Sequence, residues 1–173
     1  MPVPVAPTAA VAGQAARAGV QFNTLAAQVA FLLDSPSVFA YQATAQTIPN
    51  AATTAVTLDG EITDTDNVHS LVTNTSRLTI VTPGRYRVLG QIVWPINGTG
   101  YRGARLHKNG GMTVTSRIVP CAAAPVSMQV YDEIICVAGD YIELFSEQTS
   151  GGALATVIGG DSTFLKARWA GIS

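Results

Sequence analysis

The stretch that decides the fold is residues 83–94, PGRYRVLGQIVW. It opens with the turn-forming pair Pro83-Gly84. It continues with a run in which apolar and polar side chains alternate, as they do in a half-buried β-strand. The same alternation places Trp94 in the core rather than on the surface. We therefore predict a long strand here, with one face against a hydrophobic core.

From Ser37 onward the chain repeats this pattern. Short runs rich in Val, Ile, Thr and Tyr are separated by Gly, Pro, Asn and Asp, and no helical periodicity lies between them. Strands at this spacing predict an all-β protein, either an antiparallel sandwich or a barrel. The predicted strands are residues 38–47, 55–58, 76–80, 84–95, 101–108, 112–119, 127–137, 141–147 and 162–169.

The predicted strand 141–147 carries apolar side chains on both of its faces. Alternation puts Ile142 and Leu144 on one face and Tyr141 and Phe145 on the other. Because aromatic residues occupy the side expected to face solvent, we expect a neighbouring subunit to cover it.

The beginning of the chain has a different pattern. Residues 1–8 are rich in proline, which predicts an extended arm rather than a helix. Residues 11–33 carry apolar side chains at a heptad spacing. Gly13 and Gly19 weaken the first half of this run, since each costs about 1 kcal/mol relative to Ala. The predicted helix therefore covers residues 20–33.

The apolar seam of this helix consists of Phe22, Leu25, Val29 and Leu32. A seam of three heptads is too short to form a stable coiled coil alone. Two interpretations follow from the sequence. The helix either lies on its own domain, or it forms a short helical bundle on a symmetry axis.

Charged residues are scarce in this chain. Only 12% of the residues are charged, 47% are hydrophobic and the net charge is −1, whereas a soluble domain typically carries about 25% charged residues. The longest strictly apolar run, residues 29–33, is far shorter than the roughly 20 residues of a membrane span. We therefore expect an oligomer that hides part of its surface, with no membrane insertion. The lack of a basic stripe also argues against a nucleic-acid partner.

Cys121 and Cys136 are the only cysteines. They are too few for a thiolate metal site or a disulfide framework. We expect two buried free thiols, and a bridge between them stays open as the alternative.

Residues 59–66 concentrate four carboxylates, Asp59, Glu61, Asp64 and Asp66. Calcium binds six to eight oxygens, and this stretch could supply several of them. The spacing does not match a helix–loop–helix calcium site, however. We expect a solvated acidic loop and no metal.

His69 and His107 are the only histidines. No nucleophile motif and no phosphate-binding loop accompanies them, so we expect neither catalysis nor a cofactor. Tyr101 and Arg102 lie beside the turn at residues 95–100. They are candidate surface contacts for a glycan or a protein, because an aromatic ring next to an arginine suits such ligands.

Several motifs from Ser37 onward resemble the jelly-roll domain shared by the globular head of complement's first component and tumour necrosis factor. They include an "apolar, Pro-Gly, Tyr" stretch, a "Lys-Asn-Gly" hairpin and a "Gly-Asp, apolar, Leu" element. The resemblance implies an antiparallel jelly-roll sandwich, residues 37–173, that assembles as a homotrimer. The matching segments are residues 38–41, 78–88, 104–110, 137–144 and 162–169.

The first 36 residues resemble the N-termini of small structural proteins of tailed bacteriophages, in residues 19–25 and 29–36. This resemblance implies a virion component made in the host cytoplasm. Residues 1–36 would anchor the chain to other virion proteins and help it trimerise. No secretory signal is evident in residues 1–16, which agrees with export inside a particle.

Together these features predict a non-enzymatic virion protein, a trimeric fibre or attachment head that binds a glycan or protein on the host surface. One alternative is a capsid decoration or head-fibre protein that stabilises the shell. A second alternative is a cellular binding module of the complement type.

Overall fold

The computed structural model describes residues 9–121 and 124–172 of the 173-residue chain. Its contacts divide the chain into two units, Met1–Ser35 and Pro36–Ser173. This division lies one residue before the predicted domain boundary. The predicted extended arm, residues 1–8, lies outside the described residues.

The first unit contains one helix, α1, which spans Ala9–Leu33. It begins well before the predicted start at residue 20. The first half is rich in alanine, the best helix former, and this offsets the cost of Gly13 and Gly19. The helix ends where the Asp34 N–H donates to the Ala30 carbonyl at 3.0 Å. No helix in the described part of the chain is long and apolar enough to cross a membrane.

The second unit is a sandwich of two antiparallel sheets. Five strands form the first sheet, in the order β4-β1-β12-β6-β9. Their bounds are β1 Ser37–Tyr41, β4 Gly60–Asp64, β6 Gly84–Trp94, β9 Val126–Cys136 and β12 Phe164–Gly171. The longest pairing joins β6 to β9 over their full lengths, from Gly84 opposite Cys136 to Trp94 opposite Val126.

The second sheet has the order β3-β10-β7-β8, and β5 pairs with β10 beside β3. Its strands are β3 Thr54–Ala55, β5 Arg77–Thr79, β7 Tyr101–Lys108, β8 Met112–Pro120 and β10 Tyr141–Gln148. Two short strands, β2 Thr47–Ile48 and β11 Leu154–Ala155, pair separately at the same end as the turn 95–100.

The all-β prediction is confirmed, and so is the alternation in the deciding stretch. In β6 the side chains of Tyr86, Val88, Ile92 and Trp94 are buried, while Arg85 and Arg87 are exposed.

The prediction of a solvated acidic loop at 59–66 is wrong in part, because Gly60–Asp64 forms the edge strand β4 beside β1. Charged side chains are common on edge strands, where they discourage further pairing.

The core lies between the two sheets. Val88, Ile92 and Trp94 of the first sheet meet Leu106, Ile142 and Leu144 of the second, and all six are fully buried. Gly90 of β6 faces the second sheet across this core. A Cβ there would lie 2.7 Å from Leu144 Cδ1, 3.3 Å from Val130 Cγ2 and 3.4 Å from Leu106 Cδ2. The strand therefore needs a residue without a side chain at this position.

The two cysteines are free. Cys136 is buried, as predicted, and burial raises the pKa of its thiol to about 11. Cys121 is only half-buried, which contradicts the prediction for that residue.

Replacing Gly90 should test the close approach of the sheets. We expect Gly90→Val to lower the free energy of unfolding by about 1–3 kcal/mol, because the added methyl groups overpack the core. Urea denaturation followed by tryptophan fluorescence would measure the change.

Gly98→Ala is the matched control, since a Cβ at Gly98 meets nothing within 4 Å. It should leave stability within about 0.5 kcal/mol of the parent. Equal stability of the two variants would show that the sheets can separate at Gly90 without cost.

Candidate interaction surface

The two predicted contact residues, Tyr101 and Arg102, lie on opposite faces of β7. Successive residues of a strand point to opposite sides, so only one of them can face outward. The structure buries Arg102 completely, and the prediction that it is a surface contact is wrong. Tyr101 is half-buried on the outer face, where its hydroxyl donates to a carboxylate oxygen of Glu147.

Arg102 stabilises the turn 95–100 from the buried side of β7. Its guanidinium donates to three backbone carbonyls, those of Asn97 at 3.2 Å, Thr99 at 3.1 Å and Tyr101 at 2.9 Å. It also lies over Trp94, with Cζ 5.6 Å from the ring centroid. Trp94 is fully buried, as its alternation predicted. Among the described residues, no carboxylate forms an ion pair with Arg102.

The carboxylates on the outer face of the second sheet have partners on the same chain. Glu147 accepts from Arg105 as well as Tyr101, and Glu143 accepts from Arg77 at 3.3 Å and from Ser76 at 2.8 Å. Each carboxylate on this face thus already has partners within the same chain.

The aromatic rings of this face are also covered from within the chain. Arg77 Cζ lies 4.1 Å from the centroid of the Tyr141 ring. His107 stacks on Phe145, with ring centroids 4.1 Å apart. Burial and the nearby Arg105 lower the pKa of His107, so the ring is neutral at physiological pH. Side chains of the same sheet thus cover part of Tyr141 and Phe145, and both residues are half-buried in the single chain.

The outer face of the first sheet, which we call the first-sheet face, is different. Strand register places Phe39, Lys166, Leu89 and Tyr131 side by side across four strands. Tyr131 is exposed, and so is Ile135, four residues further along β9 and beyond Glu133 on the same face. A row of aromatic and apolar side chains with one lysine among them therefore crosses the sheet.

Lys166 occupies the middle of this row. Its Nζ lies 3.7 Å from the centroid of the Phe39 ring and 4.4 Å from that of Phe164. The two rings meet edge to face, with centroids 5.4 Å apart. A cation held over two rings keeps its stem against apolar surface, which extends the apolar area around it.

Polar groups on the first-sheet face are bonded within the face. Gln91 is buried and donates to the carbonyls of Asp161 at 2.7 Å and Ser162 at 2.8 Å, and it accepts from Gln129 at 2.7 Å. At one end of the sheet, Arg87 Nε lies 2.8 Å from Glu133 Oε1. The face thus has an apolar centre with satisfied polar groups around it, which is typical of an interface.

The sequence analysis missed the first-sheet face. The signal was present, because Leu89, Val93, Tyr131 and Ile135 are apolar residues at the outward positions of β6 and β9.

The helix seam residues are exposed within the first unit. Phe22, Leu25, Val29 and Leu32 have between 46% and 74% of their surface accessible. The helix therefore presents an apolar stripe whose partner remains a prediction.

The carboxylates of residues 59–66 do not converge on a metal. Asp59 accepts from the N–H groups of Ala43 at 2.6 Å and Thr44 at 3.1 Å. Asp66 accepts from the Thr82 N–H at 3.1 Å. In the described part of the chain, no group of three or more His, Cys, Asp or Glu residues could hold a metal ion. These side chains organise turns instead.

Arg102→Ala should destabilise the head by about 3 kcal/mol or more. The change removes a fully buried side chain and leaves three backbone carbonyls without their donor. Chemical denaturation monitored by circular dichroism would measure it.

Arg117→Ala is the control, because Arg117 is an exposed arginine on the neighbouring strand β8. Its effect should stay within about 0.5 kcal/mol. If both variants were equally stable, the turn 95–100 would not depend on Arg102.

Comparisons with known proteins agree at the level of fold. No protein-family model matches the sequence, and no curated protein matches it either. Solved structures do match, and three of them illustrate the likeness.

The globular domain of zebrafish complement 1qA protein is 12% identical, with a TM-score of 0.61 over 80% of this chain and 100% of that chain. Murine APRIL is 15% identical, with a TM-score of 0.62 over 78% of this chain and 98% of that chain. The Eiger TNF of S. frugiperda is 13% identical, with a TM-score of 0.63 over 80% of this chain and 94% of that chain. None of the three is named as an enzyme. The chain is thus similar in fold to jelly-roll domains of the complement and tumour-necrosis-factor type.

Proposed function

We propose that this protein is a non-enzymatic, homotrimeric binding head, displayed on the surface of a tailed-phage virion and anchored by its N-terminal segment. The observation that carries the assembly is the first-sheet face, where the exposed Tyr131 lies beside the half-buried Leu89 and where Ile135 is also exposed. Exposed aromatic and apolar side chains grouped on one face are typical of a protein–protein interaction site.

A second copy of the chain is the partner that best fits the first-sheet face. Only 12% of the residues are charged, about half the usual share, so the chain as a whole is poorly suited to remain a monomer. The second sheet offers a contrast, because its outer aromatic rings and carboxylates already have partners. Assembly through the first-sheet face leaves the second sheet toward solvent.

The number of copies follows from the sequence motifs shared with complement and tumour necrosis factor heads, which imply three. The helix supports the same symmetry. Its seam of Phe22, Leu25, Val29 and Leu32 is exposed, and Arg17 is the only charged residue between Ala9 and Leu33. Three such helices would bury their seams against one another on the threefold axis.

The phage origin is supported by residues 19–25 and 29–36, which resemble the N-termini of phage structural proteins. In this proposal residues 1–36 dock on another virion protein. A trimer carries three copies of the binding site, which can bind several ligands on the host surface at once. The avidity then exceeds the affinity of a single site without any new contact.

The end of the sandwich that carries the turn 95–100 is the part of the head proposed to meet the host ligand. The chain enters the sandwich at Ser37, the first residue of β1. Since β1 and β6 both pair antiparallel with β12, they run in the same direction, and β6 ends at the turn 95–100. This turn therefore lies at the end of the sandwich opposite to the entry of the chain. The Thr149 N–H donates to the Tyr101 carbonyl at 3.1 Å, so the segment that follows β10 lies at the same end. Arg102 keeps this end rigid, which reduces the entropy lost on binding.

Assembly is tested by placing a charge on the first-sheet face. Ile135→Glu should weaken self-association by at least about 100-fold, about 2.7 kcal/mol, because a carboxylate would be buried in the interface. Sedimentation equilibrium at micromolar concentration should show trimers for the parent chain and monomers for the variant.

Ile118→Glu is the matched control. Ile118 lies on the second sheet and is 53% exposed, close to the 56% of Ile135. It should remain trimeric. A monomeric parent chain, or loss of assembly in both variants alike, would contradict the proposed interface.

Virion attachment and host binding are tested separately. Deleting residues 1–34 should abolish incorporation into phage particles, while the head keeps its cooperative melting transition. The isolated head, incubated with host cells beforehand, should reduce infection. Incorporation without the segment would overturn the proposed anchor. A head that leaves infection unchanged would favour capsid decoration, and a head that binds animal cell surfaces instead would favour a cellular binding module.

A further inference from the structure

The chain contains two Asn-Gly pairs, and the structure holds them differently. Asn97-Gly98 lies in the turn 95–100, and Asn109-Gly110 lies in the hairpin between β7 and β8. In such a pair the asparagine side chain can react with the backbone nitrogen of the glycine, because glycine has no Cβ to obstruct the approach. Which pair reacts depends on how firmly its groups are held.

The side chain of Asn109 is bonded at both of its polar atoms. Its Nδ2 donates to Asp140 Oδ1 at 2.7 Å, and its Oδ1 accepts from the Tyr141 N–H at 2.9 Å. Asn109 and Gly110 have left-handed backbone angles, with φ of 53° and 74°, as tight hairpin turns require. A reaction at Asn109 must therefore break these bonds, although the residue is exposed.

The side chain of Asn97 is held less firmly. Its Oδ1 accepts from the Thr99 N–H at 3.0 Å, and this bond draws electrons away from Cγ. In the described part of the chain, no hydrogen bond holds Asn97 Nδ2 or the N–H of Gly98. Gly98 is exposed, and a Cβ there would meet nothing within 4 Å. Both the attacking nitrogen and the leaving group can therefore move.

The main-chain carbonyl of Asn97 is bonded to a charged group. It accepts from Nη2 of Arg102 at 3.2 Å. Arg102 is fully buried, and no carboxylate in the described residues forms an ion pair with it. A buried guanidinium without a counter-ion stabilises negative charge on the atoms that it contacts.

We propose that Asn97 converts spontaneously into isoaspartate, and that Arg102 directs the reaction toward this product. In the first step the Gly98 nitrogen attacks Asn97 Cγ and its proton passes through water to Nδ2. The bond from Cγ to Nδ2 breaks and ammonia leaves. The Gly98 nitrogen is then bonded both to Cγ and to the main-chain carbonyl carbon of residue 97, in a cyclic succinimide.

Hydrolysis of the succinimide by water decides the product. Attack on Cγ breaks the bond from Cγ to nitrogen and gives aspartate. Attack on the main-chain carbonyl carbon breaks the other bond to nitrogen and gives isoaspartate, in which the chain continues through the former side chain. The oxygen on this second carbon is the one that Arg102 bonds, so the guanidinium stabilises the charge that the attack places there. The carboxylate formed at this carbon supplies the ion partner that Arg102 lacks.

The conversion changes the end of the sandwich that carries the turn 95–100. It consumes water, releases ammonium, adds a negative charge to the head and lengthens its main chain by a single carbon atom. The chemistry takes place within one head and does not depend on the proposed function.

Ageing the intact protein in warm, mildly alkaline buffer tests the proposal. Trypsin separates the two pairs, because residues 88–102 and 109–117 form different peptides. Mass spectrometry should show Asn97 converting at least about tenfold faster than Asn109, since a reaction at Asn109 must first break two side-chain hydrogen bonds. In the same chain unfolded by urea, the two rates should become similar.

The product is tested in the same samples. Fragmentation that distinguishes isoaspartate from aspartate should show a larger isoaspartate share at residue 97 in the folded chain than in the urea-unfolded chain, where Arg102 no longer contacts the carbonyl. An equal share in both would overturn the role of Arg102.

Gly98→Ala tests the first step. Its added methyl group obstructs the attack on Cγ, so conversion of Asn97 should slow by at least about tenfold. Conversion of Asn109 in the same variant is the internal control and should keep the rate of the parent chain. Conversion of Asn97 no faster than that of Asn109 in the folded parent, or an unchanged rate at Asn97 in Gly98→Ala, would overturn the proposed reaction.

Discussion

The pairing of β6 with β9 is the constraint on which the head depends. The two strands stay in register over their full lengths, and the inward side chains of β6 form one wall of the core. Since the period of a strand is two residues, a slip of one position would expose Trp94 and Ile92 and bury Arg85 and Arg87. The register is therefore fixed by the cost of exposing the core. It also determines which residues appear on the outer side, including Leu89 and Tyr131 of the first-sheet face.

The two outer faces of the sandwich differ in how far their apolar side chains are covered by other side chains of the same chain. The second sheet covers Tyr141 and Phe145 with Arg77 and His107 of its own strands. The first sheet has Lys166 over Phe39 and Phe164, but Leu89 and Tyr131 lie beside this cluster with no similar cover among the described contacts. Low charge in the sequence pointed to a hidden surface without locating it. The contrast between the two faces is the reason that we propose the first-sheet face as this surface.

Much of the fold could be predicted because it depends on local patterns. Alternation identified the buried side of β6 and β10, and the Pro-Gly and Asn-Gly turns separated the strands. The edge strand β4 was missed because its sequence, Gly60–Asp64, has polar residues and little alternation, and its pairing with β1 is not visible along the chain. The prediction that Arg102 lies on the surface was wrong for a related reason. An arginine after an exposed-looking turn suggests a surface, yet strand register turned it inward toward carbonyls that the sequence does not reveal.

The buried thiol of Cys136 has a consequence for how the protein withstands oxidation. Only a thiolate attacks a disulfide or reacts readily with oxidants. With a pKa of about 11, roughly one thiol in a thousand is ionised at pH 8. Cys136 is also covered by the core, so oxidants reach it only when the sandwich opens. The redox durability of this site therefore comes from packing, and it should last as long as the β6–β9 pairing remains closed.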